Sequence, residues 1–157
     1  MIRSWMVIGA VALLVALSGG LNTPDDTRWF NRLQRPRWLT FEAAIPFIWT
    51  VIYICCAWSA YIVWESDPGS QRTWLLMGLY LLLELVTTAY TLLTLKLRSL
   101  KAGTYIGGTG AVIGLILAVL VFPISSWASL LLLPYLIWSP IGTYTTWEMM
   151  KLNPESV

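Results

Sequence analysis

Hydrophobic positions in this chain are gathered into five long runs, separated by short polar connections. A helix rises about 1.5 Å per residue, so about 20 apolar residues cover the roughly 30 Å hydrocarbon core of a bilayer. The pattern predicts a single all-α domain over residues 1–157, an integral membrane bundle of five transmembrane helices. The predicted spans are residues 5–21, 46–64, 74–95, 105–122 and 127–147.

The connections between these spans are short except for the first, residues 22–45, which alone is long enough to fold over the bundle. The first span has an alternative interpretation as a signal peptide. Arg3 precedes its apolar core, and Ala16-Leu17-Ser18 resembles a small-residue cleavage site.

Composition supports a membrane protein and limits its chemistry. The chain is 57% hydrophobic and 11% charged, with a mean hydropathy of +0.69, whereas soluble domains have about 25% charged residues. Histidine is absent, so no imidazole can bind a metal or haem or act as a general base. Cys55 and Cys56 are adjacent in an apolar run, which favours helix packing over a disulfide or a metal site. We therefore assign no metal ligand and no catalytic residue.

Basic residues predict the orientation, provided that all five segments cross the membrane. The N-terminal side then has Arg3 and Arg72, and the opposite side has Arg28, Arg32, Arg35, Arg37, Lys96, Arg98, Lys101 and Lys151. The positive-inside rule places the second set and the C-terminus in the cytoplasm, in a membrane that the sequence does not identify. Such juxtamembrane cations favour contact with lipid headgroups of the bilayer over nucleic-acid binding.

Two helical faces alternate large rings with small residues. The face on the second span contains Trp49, Tyr53, Ala57, Ala60 and Trp64, and the face on the fifth contains Tyr135, Trp138, Gly142 and Thr145. Packed together, these faces would form an indole-lined slot for a flat apolar ligand. Ordinary aromatic packing and interfacial anchoring are the alternative.

The third span has a carboxyl group, Glu84, near its middle. Tyr80, Thr87, Thr88 and Thr91 lie near it at helical spacing. A charge at the bilayer centre costs about 2.5–3.5 kcal/mol, so Glu84 should face a cavity, face a partner or stay protonated. A ligand or proton contact and a structural hydrogen bond across helices are both open.

Small residues predict close packing of the fourth span. Its two small-xxx-small pairs are Gly103 with Gly107 and Gly110 with Gly114. The spacing allows this contact either within one bundle or between protomers.

Three blocks of sequence have a more specific pattern: W-F-N-R-L-Q-R-P-R-W at 29–38, P-F-I-W-T-V-I-Y at 46–53 and L-L-L-P-Y-L-I-W at 131–138. Together they resemble the tryptophan-rich sensory protein family, which includes the mitochondrial translocator protein, or peripheral benzodiazepine receptor. The resemblance implies five transmembrane helices, a pocket under the first loop as lid, homodimers, and binding of porphyrins, sterols and synthetic aromatic ligands.

The resemblance also implies a receptor-like or carrier-like role in stress or porphyrin regulation, with porphyrin or haem as ligand and no cofactor required. Light-dependent porphyrin breakdown, which would involve Trp49 and Trp138, and transport of porphyrin or sterol-like ligands are the alternatives. From the resemblance and the helical faces, the expected ligand-binding residues are Trp29, Phe30 and Trp38 in the lid and Trp49, Tyr53, Glu84, Thr87, Tyr90, Tyr135, Trp138 and Gly142 in the helices.

The chain also departs from the family pattern. Leu39-Thr40 replaces the usual Pro-Pro of the lid, and the usual Gln, Asn and Trp of the third span are replaced by Leu83, Thr87 and Tyr90. We therefore do not expect benzodiazepine-type binding. The interval from Tyr144 to Lys151 is too long for the cholesterol motif, so sterol recognition through that motif is not expected either.

Overall fold

The computed structural model describes all 157 residues, and its regular structure is entirely helical. The α-helices are α1 Ser4–Ser18, α2 Pro24–Arg32, α3 Ile45–Ser66, α4 Gln71–Leu97, α5 Leu100–Val121, α6 Ser126–Leu130 and α7 Leu133–Leu152, with 3-10 turns at Glu42–Ala44 and Pro154–Ser156. The predicted all-α class is confirmed. Three helices, α3 with its preceding turn, α4 and α5, are long and apolar enough to cross a membrane, and α1 is a shorter apolar helix. By length and composition, α3, α4 and α5 are candidate membrane spans, and crossing of the membrane by the first and fifth predicted spans stays a prediction.

The predicted fifth span, residues 127–147, is wrong as one continuous helix. Helix α6 ends at Leu130, and α7 begins three residues later at Leu133. Pro134 explains the break, because proline has no N–H to donate to the carbonyl of Leu130 and its ring clashes with that carbonyl. In the first turn of α7 the missing N–H costs nothing.

The connection between the third and fourth predicted spans, residues 96–104, is shorter than predicted. Helix α4 continues to Leu97, and only Arg98 and Ser99 separate it from α5. Arg98 takes the left-handed conformation with φ 48°, which ends α4. The Ser99 hydroxyl then accepts a hydrogen bond from the N–H of Ala102 and caps α5.

The helices form one bundle in which α1 packs on α3 and α4, and α5 packs between α4 and α7. Ser59 joins three elements, because its hydroxyl lies 2.6 Å from the Tyr80 hydroxyl and donates to the Ala128 carbonyl of α6. Helix α1 belongs to this bundle, since Ala12 is buried and the Thr88 hydroxyl donates to the Val15 carbonyl. These contacts favour retention of α1 over cleavage.

The small residues of α5 are in contact with the same chain. A Cβ added at Gly107 would lie 2.6 Å from Thr143 Oγ1, and one at Gly110 would lie 2.6 Å from the hydroxyl oxygen of Tyr135. A Cβ at Gly114 would lie 2.6 Å from Cε1 of the Tyr135 ring. The glycines therefore allow α7 to approach α5 within one protomer, which decides between the two alternatives left by the spacing.

The two ends of the bundle differ in charge. At one end, Leu33 after α2, Leu100 of α5 and Met149 of α7 form a buried cluster, so the loops with the eight basic residues meet there. At the other end, the Ser4 hydroxyl donates to the Glu65 carboxylate next to the α3–α4 turn. The grouping of basic residues that underlies the predicted orientation thus agrees with the fold.

Candidate functional site

The bundle encloses two cavities, one toward each end. The lid-side cavity, of about 500 Å³, lies among α3, α4, α5 and α7 beneath α2 and the loop that follows it. The N-terminal cavity, of about 660 Å³, lies among α1, α3 and α4. Trp49, Thr87 and Tyr135 line both cavities and form the wall between them.

The lid-side cavity contains most of the residues predicted to bind ligand. They are Phe30, Trp49, Thr87, Tyr90, Tyr135, Trp138 and Gly142. Trp49 of α3 and Trp138 of α7 therefore face one space, whereas Tyr53, Ala60 and Trp64 of the predicted α3 face line the N-terminal cavity. Gly142 leaves room there, since an added Cβ would meet only Nε1 of Trp138, at 3.9 Å.

Hydroxyl groups supply the polar part of this cavity. Besides Thr87 and Tyr90, the threonines that line it are Thr27, Thr91, Thr94, Thr143, Thr145 and Thr146. The Tyr90 and Thr146 hydroxyls are hydrogen-bonded to each other and join α4 to α7. The cavity thus combines aromatic rings with neutral hydrogen-bonding groups.

Helix α2 of the lid begins with a reciprocal cap. The Thr23 hydroxyl accepts from the N–H of Asp26, and the Asp26 carboxylate accepts from the N–H of Thr23. Hydrogen bonding of the Asp26 carboxylate with the side chain and the backbone N–H of Thr23 lowers the pKa of this carboxyl group below its usual value. Asp25 forms an exposed ion pair with Arg28. Asp26 therefore caps α2, and Asp25 lies in solvent. The two aspartates do not form an acid–base pair.

One polar group joins the lid to the bundle, and another makes contacts within the lid. Asn153, after α7, accepts from the N–H of Gln34 at 2.8 Å and donates to the Gln34 carbonyl at 3.1 Å. Arg35 donates to the Phe30 carbonyl at 2.7 Å, pairs with Glu42 at 3.2 Å and lies over the Phe30 ring. Arg35 and Glu42 both line the cavity, so the lid contributes charge to it.

The lid tryptophans lie outside both cavities. Trp29 packs against the buried cluster of Leu33, Leu100 and Met149. Trp38 stacks on Tyr144 of α7 with ring centroids 6.1 Å apart, and its indole N–H donates to Glu148. Both therefore fasten the lid to the helices, whereas Phe30 is the lid ring that faces the cavity.

Two other predicted residues, Tyr53 and Glu84, line the N-terminal cavity and not the lid-side cavity. Glu84 is partly buried, and its carboxyl group has no hydrogen-bond or ion-pair partner in the chain. The polar residues of α4 therefore do not all face the same space. Tyr80 bonds Ser59, Thr88 bonds α1, and Thr91 lines the lid-side cavity.

Sequence reasoning did not assign Arg35, Glu42 and Asn153 to the site. Arg35 had a signal, since it is the cation of the loop motif between Leu33 and Pro36. Asn153 had none, because its partner lies 119 residues away. No group of three or more acidic or cysteine side chains gathers in a way that could hold a metal ion.

Known proteins resemble this chain over most of its length. It is 27% identical to an uncharacterized membrane protein, YtaB, of Bacillus subtilis, with 94% of this chain and 97% of that protein aligned. It is 26% identical to the tryptophan-rich sensory protein of Cereibacter sphaeroides, over 88% of this chain and 84% of the relative. It is 32% identical to translocator protein 2 of Mus musculus, over 73% of this chain and 72% of the relative. The sequence profile of the TspO/MBR family matches residues 7–152. With its long apolar helices, this chain is therefore an integral membrane protein that belongs to the TspO/MBR family.

Proposed function

We propose that the protein binds a tetrapyrrole, such as a porphyrin or haem, in the lid-side cavity. The observation that carries the proposal is that Trp49 and Trp138, from different helices, face one cavity of about 500 Å³. Ligand sites in proteins typically have about 300–1,000 Å³. Each stacked ring pair adds about 0.5–1.5 kcal/mol to the free energy of burying the apolar ligand surface.

The polar groups of the cavity suit the periphery of such a ligand. Porphyrins with acidic side chains combine a flat apolar ring with carboxylates. Arg35 lies in the lid wall, where Nη2, which is not used in its bonds to Glu42, Phe30 and Leu33, can donate to a carboxylate, and the Thr91 hydroxyl can donate to a second one. Relatives named as tryptophan-rich sensory and translocator proteins support a sensing or carrier role in stress or porphyrin regulation.

The membrane arrangement that we propose has five crossings. Helix α1 and the broken α6–α7 segment join the three long helices, which places the N-terminus outside and the C-terminus in the cytoplasm. Helix α1 has 15 residues and spans about 22 Å, so its ends would lie close to the headgroups. A homodimer is part of the proposal. Its interface would not use Gly107, Gly110 or Gly114, because α7 of the same chain covers them.

The proposal is tested by titrating protoporphyrin IX into protein in lipid nanodiscs and measuring tryptophan quenching. Trp49→Ala or Trp138→Ala should weaken binding by about 1–3 kcal/mol, which corresponds to roughly 5-fold to 150-fold in Kd. Gly142→Leu should weaken binding by filling the space beside Trp138. Trp127→Ala is the control, because Trp127 is 54% exposed and lines neither cavity. Unchanged affinity in all three cavity variants, each shown to be folded, would refute the site.

The same samples distinguish binding from chemistry and transport. Trp49→Phe and Trp138→Phe keep an aromatic face but remove the indole. Two results together would identify a photoenzyme. Light must yield a new porphyrin product only when the protein is present, and the two Phe variants must bind porphyrin without forming that product. Bleaching at the same rate without protein leaves binding alone. Net movement of porphyrin across a sealed vesicle would identify a transporter.

A further inference from the structure

The N-terminal cavity is larger than the lid-side cavity, and the proposed tetrapyrrole site does not use it. Its entrance lies near the N-terminus, where Trp64 and Trp74 meet edge to face with ring centroids 4.9 Å apart. From Trp74 to Glu84 along α4 is ten residues, or about 15 Å. The cavity is thus a deep apolar space with a carboxyl group near its inner end.

Glu84 is the only carboxyl group that lines this cavity, and it has no hydrogen-bond or ion-pair partner in the chain. The Tyr80 hydroxyl is bonded to Ser59, and the Thr87 hydroxyl donates to the Leu83 carbonyl of its own helix. Arg3 also lines the cavity, but it is exposed and lies at the entrance beside Ser4, which bonds Glu65. A carboxyl group in apolar surroundings without a partner is unfavourable, so a ligand that supplies a donor gains free energy there.

We propose that the N-terminal cavity binds a hydrophobic amine, with its protonated nitrogen at Glu84 and its apolar body extending toward Trp64 and Trp74. An ammonium group matches the carboxylate in charge and donates a charge-assisted hydrogen bond. A fatty acid or lipid chain fits less well, because its head would stay near Arg3 and its tail would leave Glu84 unpaired. This inference is independent of tetrapyrrole binding.

The glycines of the two cavities provide matched blocking variants. A Cβ at Gly78, which lines the N-terminal cavity, would meet nothing within 4 Å, so Gly78→Leu extends into open space. A Cβ at Gly142, which lines the lid-side cavity, would meet only Trp138 Nε1 at 3.9 Å. Each variant should fill one cavity without separating helix backbones.

The test compares 1-pyrenemethylamine with the uncharged 1-pyrenemethanol, two probes of nearly the same shape. Binding is measured by energy transfer from tryptophan to pyrene in phosphatidylcholine nanodiscs, with empty nanodiscs as the blank. The amine should bind more tightly than the alcohol. Glu84→Gln should weaken amine binding by about 10-fold or more and leave alcohol binding unchanged, because the amide keeps the shape and loses the charge.

The blocking variants then locate the site. The part of amine binding that depends on Glu84 should also be lost in Gly78→Leu and kept in Gly142→Leu, with thermal unfolding used to verify that both are folded. The proposal is overturned if the two probes bind equally, if Glu84→Gln has no effect on the amine, or if Gly142→Leu is the variant that blocks. If Gly78→Leu does not fold, the proposal is decided by affinity alone. The amine must bind more tightly than the alcohol in the wild type, and this difference in affinity must be lost in Glu84→Gln.

Discussion

Replacing Gly114 by Ala should destabilise the protein, although alanine is the better helix former. The added Cβ would lie 2.6 Å from Cε1 and 2.9 Å from Cδ1 of Tyr135, both well inside contact distance. The ring is 4% exposed and packs on Gly110 and Gly114, so it can move away from the added Cβ only by giving up these contacts with α5 and shifting into a cavity that it lines. Overpacking of this kind costs about 1–3 kcal/mol. The gain in helix propensity, about 1 kcal/mol, opposes it.

Gly108→Ala is the matched control, because it lies on the same helix and its Cβ would meet nothing within 4 Å. The propensity gain is common to both variants and cancels in their difference. We expect Gly114→Ala to be less stable than Gly108→Ala by about 1–3 kcal/mol. The assay is reversible unfolding in mixed micelles of increasing SDS fraction, followed by circular dichroism. Equal stability of the two variants would show that α5 and α7 do not approach as closely as described.

Three further predictions concern the lid, the helix contacts and the orientation. Asn153→Ala removes both hydrogen bonds to Gln34, so protease cleavage within residues 33–41 should become faster; an unchanged rate would mean that other contacts hold the lid. Tyr90→Phe should lower the free energy of unfolding by about 0.5–1.5 kcal/mol in the same micelle assay, because it removes the bond to Thr146. No loss would mean that this bond is not made in the micelle. A reporter fused after Val157 should be active only in the cytoplasm, and activity on the outer face would reverse the proposed orientation.

The sequence predicted contacts between helices where residues at helical spacing form a face that is buried in the bundle. The aromatic faces on α3 and α7 have a helical period, and their members Trp49 and Trp138 do share a cavity. The α5 glycines predicted a close approach, and Tyr135 and Thr143 are the groups approached. Both inferences needed only the spacing of side chains along one helix.

What the sequence did not predict depends on where helices end and how they are placed beside one another. Pro134 lies within a continuous apolar run, and hydropathy alone predicts one span across it. Hydropathy measures the apolar character of a residue and not its missing N–H. Glu84 and Tyr53 were grouped with Trp138 because all belong to inward faces. The separation into two cavities arises from Trp49, Thr87 and Tyr135, which come from three helices and line both cavities, a tertiary arrangement without a local signature.

The wall formed by Trp49, Thr87 and Tyr135 makes the two cavities thermodynamically dependent on each other. A ligand in either cavity that moves one of these side chains changes the free energy of filling the other. Linkage requires the effect to be reciprocal: if an occupant of one cavity changes the affinity of the second tenfold, the second occupant changes the affinity of the first by the same factor. Measured separately, each cavity would show an ordinary binding curve. Binding curves measured with both ligands present would show whether filling the cavity on one side of the bilayer changes the ligand affinity of the other cavity through the shared wall.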